Sequence, residues 1–217
     1  MENNELIAKI AVKDFDLEAF ARLAVEDKGI RDELVSQMIA NPDIMVYYHC
    51  YEVLSKASQA EPQLFYPYWP DIAPLLDHPN SYHRDFALTI LANLTQVDHQ
   101  DLFASLADQY VAHINDAKFC TGQYCVRNCQ KIITYKPETL DFFLDRLFDL
   151  DTYCDYPAKQ KDLLKYDVLV ILEQVYDQSP RKDQINAFIR TASKAVSPKT
   201  RKKADALVRK FSIQVLA

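Results

Sequence analysis

Glycine is nearly absent from this chain. Its 217 residues include Gly29 and Gly122 and no other, where average usage near 7% would give roughly 15. Hairpin turns and left-handed backbone positions draw heavily on glycine and asparagine, so a sheet-rich fold is disfavoured. A phosphate-cradling loop needs several glycines at short spacing. These two lie far apart, which excludes Rossmann and P-loop chemistry. Apolar runs are short as well, and none approaches the ~18–20 residues of a membrane span. The segment MENNELIAKIAVKDFD lacks the apolar stretch of a secretory signal. Cysteine is sparse and odd in number, with Cys50, Cys120, Cys125, Cys129 and Cys154. An odd set with no visible signal points to reduced thiols and a cytoplasmic location.

What is present is ordinary in bulk and uneven in layout. Hydrophobic residues make up 49%, charged residues 26%, and the net charge is −6. Residues 181–217 carry ten Lys/Arg against Asp183 and Asp205, a net of +8, while residues 1–180 carry 15 basic and 29 acidic side chains, a net of −14. Such a body is poorly suited to lie along a phosphate backbone. It suits a basic or mixed-charge partner, with the basic end held against the acidic body or offered outward.

A repeat of about 37 residues runs through the chain. Setting Pro42 of ELVSQMIANPDIMVYYHCYEVLSKAS on Pro79 of PDIAPLLDHPNSYHRDFALTILANLT aligns Cys50 with Ala87 and Leu54 with Leu91. A step of 38 brings Cys125 and Cys129 to the same two positions, and near the far end Ala204 and Val208 occupy them, with Arg201 on Arg84. Val168 fits less closely, after an insertion at 151–160. Each unit reads as an apolar helix ending near Asn41, Asp77 or Asn115, a short turn, and a second helix bearing a small residue then a larger apolar one four positions on. The i, i+3, i+4 spacing is helical, the small residue lets antiparallel helices approach, and Asn, Asp, Ser and Thr at the starts are suitable caps.

This pattern, clearest in LLDHPNSYHRDFALTILANL, resembles the HEAT repeat, a pair of antiparallel helices. The resemblance covers roughly residues 30–215. It implies an all-α, α-α superhelix of about five hairpins (31–60, 61–98, 99–136, 137–179, 180–217) in a single domain spanning 1–217, with residues 1–30 as an N-terminal cap. Helix 14–26 would supply that cap, with Leu17, Phe20, Ala21 and Ala24 on one face. The family pairs a turn Asp with an Arg of the second helix, and Asp77 and Arg84 hold those positions in the second unit. Asn41 and Tyr47 replace them in the first unit, and Asn115 and Gly122 in the third. Gly122 therefore marks the unit expected to depart from regular packing, and Gly29 lies between cap and first hairpin.

Candidate chemistry is thin. Cys125 and Cys129 share a helix face, but a zinc site wants four ligands, and the repeat alignment makes these cysteines core positions. The histidines (His49, His78, His83, His99, His113) form no His-Glu-x-x-His motif, and no Gly-x-Ser-x-Gly elbow is present. No catalytic, metal or cofactor site is expected. Aromatic residues cluster at Tyr47, Tyr48 and Tyr51 and at Phe65, Tyr66, Tyr68 and Trp69, the latter broken by Pro67 and Pro70 into a short helix and kinked turn.

In HEAT-like arrays the second helices line a concave face. The resemblance thus implies a ladder of Tyr48, Glu52 and Lys56, of Asp85, Thr89 and Asn93, and of Gln123, Arg127 and Lys131 along one groove. Being polar and mixed in sign, the ladder suits a protein or peptide more than an apolar ligand. The expected function is a non-enzymatic scaffold module that binds a protein or peptide partner, with nucleic acid and membrane insertion disfavoured. The alternative is a HEAT-like DNA glycosylase acting on alkylated bases, with Asp85, Arg127, Tyr48 and Tyr166 cast in its site. Against it stand the acidic body and the lone Trp69, off the ladder. HEAT-like iron hydroxylases need His-Glu pairs, and no His here precedes Glu. The cluster Lys199, Arg201, Lys202 and Lys203 is a terminal cap or a contact surface for nucleic acid or an anionic membrane.

Overall fold

The structure is a computed structural model that describes the backbone of residues 3–214 and the side chains of residues 5–214. The chain is all-α, and no strand occurs among the described residues. It forms two compact units, Met1–Ala107 and Asp108–Ala217.

In the first unit, α1 (Asn3–Ile10) and α2 (Leu17–Glu26) precede α3 (Lys28–Ala40) and α4 (Ile44–Ala60). Asp16, Asp27 and Asp43 cap α2, α3 and α4 by accepting from backbone amides, which satisfies donors that a helix start leaves without partners. Gly29 belongs to the first turn of α3, not to a linker before it, and its amide donates to Asp27 Oδ1 at 2.7 Å. Prolines then chop the chain into α5 (Pro62–Phe65), a 3₁₀ turn, α6 (Trp69–Ile72) and a second 3₁₀ turn ending at Asp77. Helix α7 (Ser81–Leu94) follows, capped by Asn80. Every side chain from Asp85 to Leu94 is buried, because α7 packs along α4 on one side and on the 73–77 turn on another. The turn into α8 (Leu102–Ala112) uses Asp101 at φ 53°, a left-handed position where glycine is the usual occupant.

The second unit begins within α8. It continues through α9 (Phe119–Tyr135), α10 (Leu140–Phe148), α11 (Leu150–Tyr153), α12 (Ala158–Val175), α13 (Lys182–Ala192) and α14 (Pro198–Lys210). Helix α12 packs against α9 and α14, and α13 packs on α14. The repeat register is visible in the burial. Cys50, Ala87, Cys125, Val168 and Ala204 have no exposed surface, and Leu54, Leu91, Cys129 and Leu172, four positions on, are equally deep. Burying each leucine of this register is worth about 1.5–3 kcal/mol, one part of a core to which the same helices also contribute Val53, Phe86, Ile90 and Leu169.

Arginines close several turns. Arg84 Nη1 donates to the carbonyls of His78 and Pro79 at 2.8 and 3.2 Å, six and five residues back. Arg201 Nη1 repeats this on Ala195 and Val196 at 2.7 and 2.9 Å, at the same spacing. Arg31 does similar work at the end of α2, donating to Ala24 and Val25 at 2.6 and 3.1 Å. These bonds satisfy carbonyls that helix ends leave free, and a charged donor strengthens them.

Gly122 stands where Arg84 stands in the second hairpin, and the 151–160 insertion supplies the missing donor. Tyr156 Oη donates to the carbonyl of Asp116, six residues before Gly122, at 2.6 Å. Asp155 and Asn115 exchange two hydrogen bonds alongside, and Cys154 Sγ donates to the Ile114 carbonyl. A Cβ at residue 122 would sit 2.6 Å from Tyr156 Oη and 2.8 Å from the Ile114 carbonyl. The glycine is required by close approach, not by its φ, which is not positive. Gly122→Ala should therefore lower the unfolding free energy by about 1–3 kcal/mol in urea denaturation. An unchanged midpoint would show that the insertion does not dock here.

Candidate functional site

The ladder positions divide by burial. On α4, Tyr48 and Glu52 are half-buried and Lys56 is exposed, its ammonium 2.6 Å from Glu18 of α2. On α7 the expectation of outward-facing side chains is corrected. Asp85, Thr89 and Asn93 are only 7%, 6% and 2% exposed. Tyr51 Oη donates to Thr89 Oγ1 at 3.2 Å, and Asn93 Nδ2 donates to the Ser55 carbonyl and to Ser58 Oγ, both at 3.0 Å. The physical reason is that α4 and α7 lie side by side. One row of α7 therefore meets α4 instead of solvent. Thr89 and Asn93 tie helix to helix, and each such bond, once buried, is costly to leave unmade.

An aromatic cluster lies beside this seam. Tyr51 stacks on Phe86 with centroids 4.2 Å apart, and Tyr48 meets Tyr51, Tyr82 and Phe86 edge-on at about 6 Å. Tyr51 and Phe86 are buried, but Tyr82 is 41% exposed, and Ile44, one turn before Tyr48 on α4, is 46% exposed. His83 borders the cluster, 4.1 Å from His78 and 5.0 Å from Tyr47. Its Nδ1 is buried without a hydrogen-bond partner. Burial, and next the neighbouring His78, push the His83 pKa below the ordinary 6.5.

In the second unit, Gln123 and Arg127 of α9 both donate to the buried carboxylate of Asp167 on α12, at 3.0 and 3.2 Å. Lys131 is half-buried on the same helix, and loss of water draws its pKa down. Of the residues cast in a glycosylase site, Asp85 is buried, Arg127 is held by Asp167, and the Tyr166 ring lies 3.8 Å from the Lys199 ammonium. Cys50, Cys125, Cys129 and Cys154 are buried and Cys120 is exposed. Burial pushes the Cys50 thiol up to about 12, the Cys154 thiol up to about 11, and the Cys125 thiol well above its usual value. Among the described residues, no group of His, Cys, Asp and Glu could hold a metal ion, and no helix is long and apolar enough to cross a membrane.

Part of the basic end is turned on the acidic body. Lys203 and Lys210 of α14 both contact Glu173 of α12, the latter at 2.9 Å, and these contacts hold the Glu173 carboxyl below its usual range. Arg181 pairs with Asp145 at 2.7 Å. Neither these pairs nor the arginine-closed turn at Arg31 announced themselves in the sequence. Arg31 lies in a first helix, away from the second-helix position that Arg84 and Arg201 hold, and ion pairs between distant residues leave no local pattern.

No protein-family model and no curated protein matches the chain. Among solved structures, the crystal structure of an engineered protein, Northeast Structural Genomics Consortium target OR329, is similar. Its TM-score is 0.54 at 14% identity, covering 98% of this chain and 97% of that one. At that identity the likeness speaks for the fold alone.

Two outcomes follow. Native protein exposed to a thiol-alkylating reagent should be modified at Cys120, with the other four cysteines reacting only after denaturation. Peptide mapping of native protein that found Cys125 or Cys129 modified would contradict their place in the core. Second, a depressed pKa in the fold means that the unfolded chain binds the extra proton first. The contribution of His83 to stability is complete above pH 6.5 and is lost as pH falls below it. Denaturation midpoints measured across that range should decline less steeply for His83→Gln than for the parent protein.

Proposed function

We propose that this protein is a HEAT-like interaction module without catalytic activity, and that it docks a protein or peptide partner on the α4–α7 face of its first unit. The observation that carries this reading is the rim of the aromatic cluster, the exposed Tyr82 and the half-buried Tyr48, with the exposed Ile44 one turn before Tyr48 and the stacked pair Tyr51 and Phe86 alongside. Aromatic anchors dominate binding energy at interfaces. Rings already held by their neighbours lose little rotamer freedom on docking. Glu52 and Lys56 continue the face with mixed charge, which suits a peptide's polar groups. Support for the HEAT-like assignment comes from the shared small-residue positions in the five second helices and from the arginine-closed turns. Of the expected ladder, the proposal uses Tyr48, Glu52 and Lys56, and it leaves aside Gln123 and Arg127, which are engaged by Asp167.

The test is affinity purification with crosslinking, comparing the parent chain with Tyr48→Ala/Tyr82→Ala. Replacing one true anchor should weaken a partner by about 30-fold, or about 2 kcal/mol. At the exposed Tyr82 the effect on folding should stay within about 0.5 kcal/mol. Identical partner sets and affinities for both proteins would defeat the proposal.

A further inference from the structure

The basic end contains a second surface that the first reading does not use. Where α13 packs on α14, a surface groove of about 570 Å³ is lined by Arg190, Thr191 and Lys194 of the α13 side and by Asp205 and Val208 of α14. Its aliphatic lining comes from the exposed Ala187 and the half-buried Val208.

The cations of residues 181–217 fall into three groups. Arg181, Arg201, Lys203 and Lys210 are committed to internal carboxylates or carbonyls. Lys182 and Lys199 lie over the rings of Tyr176 and Tyr166. The remaining four, Arg190, Lys194, Lys202 and Arg209, have no carboxylate partner among the described residues. Arg190 makes a 3.5 Å contact with the Gln214 carbonyl. Arg190 and Lys194 line the groove. Lys202 and Arg209 flank Asp205 three residues before and four after it, so all three share one face of α14. The groove and its rim thus hold four cations against one acid, on a chain whose other 180 residues carry a net charge of −14.

We propose that the α13–α14 groove binds an acidic amphipathic segment of a partner protein, with aliphatic side chains on Ala187 and Val208 and carboxylates paired to Arg190 and Lys194. A nucleic acid fits the same surface less well, because its phosphates could pair with the cations but would leave the aliphatic lining of Ala187 and Val208 unused. Rim charges of this kind govern association rate and salt dependence, and the aliphatic lining adds the discrimination that charge alone lacks.

The test uses the full chain and fluorescence polarisation. The probes are a labelled helical peptide of glutamates with leucines along one face, a leucine-free glutamate peptide, and a short DNA duplex. The leucine-bearing peptide should bind most tightly. Arg190→Glu/Lys194→Glu should weaken it about 10-fold or more, whereas Tyr48→Ala/Tyr82→Ala should leave it unchanged. Matched thermal melts would show that the charge-reversed protein remains folded. Val208→Ser should erase the advantage of the leucines. Equal binding of the two peptides, unchanged affinity in Arg190→Glu/Lys194→Glu, or tighter binding of the duplex would each overturn the proposal.

Discussion

A helix ends with carbonyl oxygens that have no amide partner, and a chain made of helix pairs must satisfy them at every turn. Here that constraint is met almost without glycine. Arg31, Arg84 and Arg201 reach back over their turns and donate to the last carbonyls of the preceding segment. Where the arginine is missing, at Gly122, Tyr156 enters from a different segment and donates to the equivalent carbonyl. That exchange also accounts for the 151–160 insertion. The extra residues carry the hydroxyl to a site that a bare glycine backbone leaves open. Closed turns in turn set the spacing of the second helices, on which the buried register of Cys50, Ala87, Cys125, Val168 and Ala204 depends.

Once the second helices lie side by side, their polar residues have two fates. Those on the seam become internal ties, as with Asn93 on Ser55 and Ser58, or Gln123 and Arg127 on Asp167. Those one row away keep contact with solvent, as Tyr48, Glu52 and Lys56 do. The binding face proposed for the first unit is what remains after the seam has taken its share. Its aromatic rim is held by neighbouring rings, so a partner meets a surface that is already ordered.

The charge asymmetry divides in the same way. Glu173 binds two lysines of α14, and Asp145 binds Arg181, so much of the basic end neutralises the acidic body within its own unit. Exposed pairs of this kind contribute only about 0–1 kcal/mol each. Their larger effect is to leave a specific subset of cations, around the α13–α14 groove, available for something outside the chain.

The residues by themselves determined the helical class, the 37-residue period and the positions that fill the core. Periodicity and side-chain size are local properties, and burial followed them closely at Ala87, Leu91, Cys125 and Cys129. Turn chemistry was partly legible for the same reason: Pro, Asn and Asp punctuate the hairpins, and Gly122 stood out as an exception. What lay opposite each helix was not legible. Asp85, Thr89 and Asn93 read as an outward row because a single helix shows which face is apolar but not which polar row a neighbour will cover. Only the tertiary structure decided that α4 covers this one, that Tyr156 completes the turn at Gly122, and that Arg190 and Lys194 are left without a carboxylate partner. All three depend on contacts between residues about 24–40 positions apart, beyond the few residues over which helical periodicity carries information.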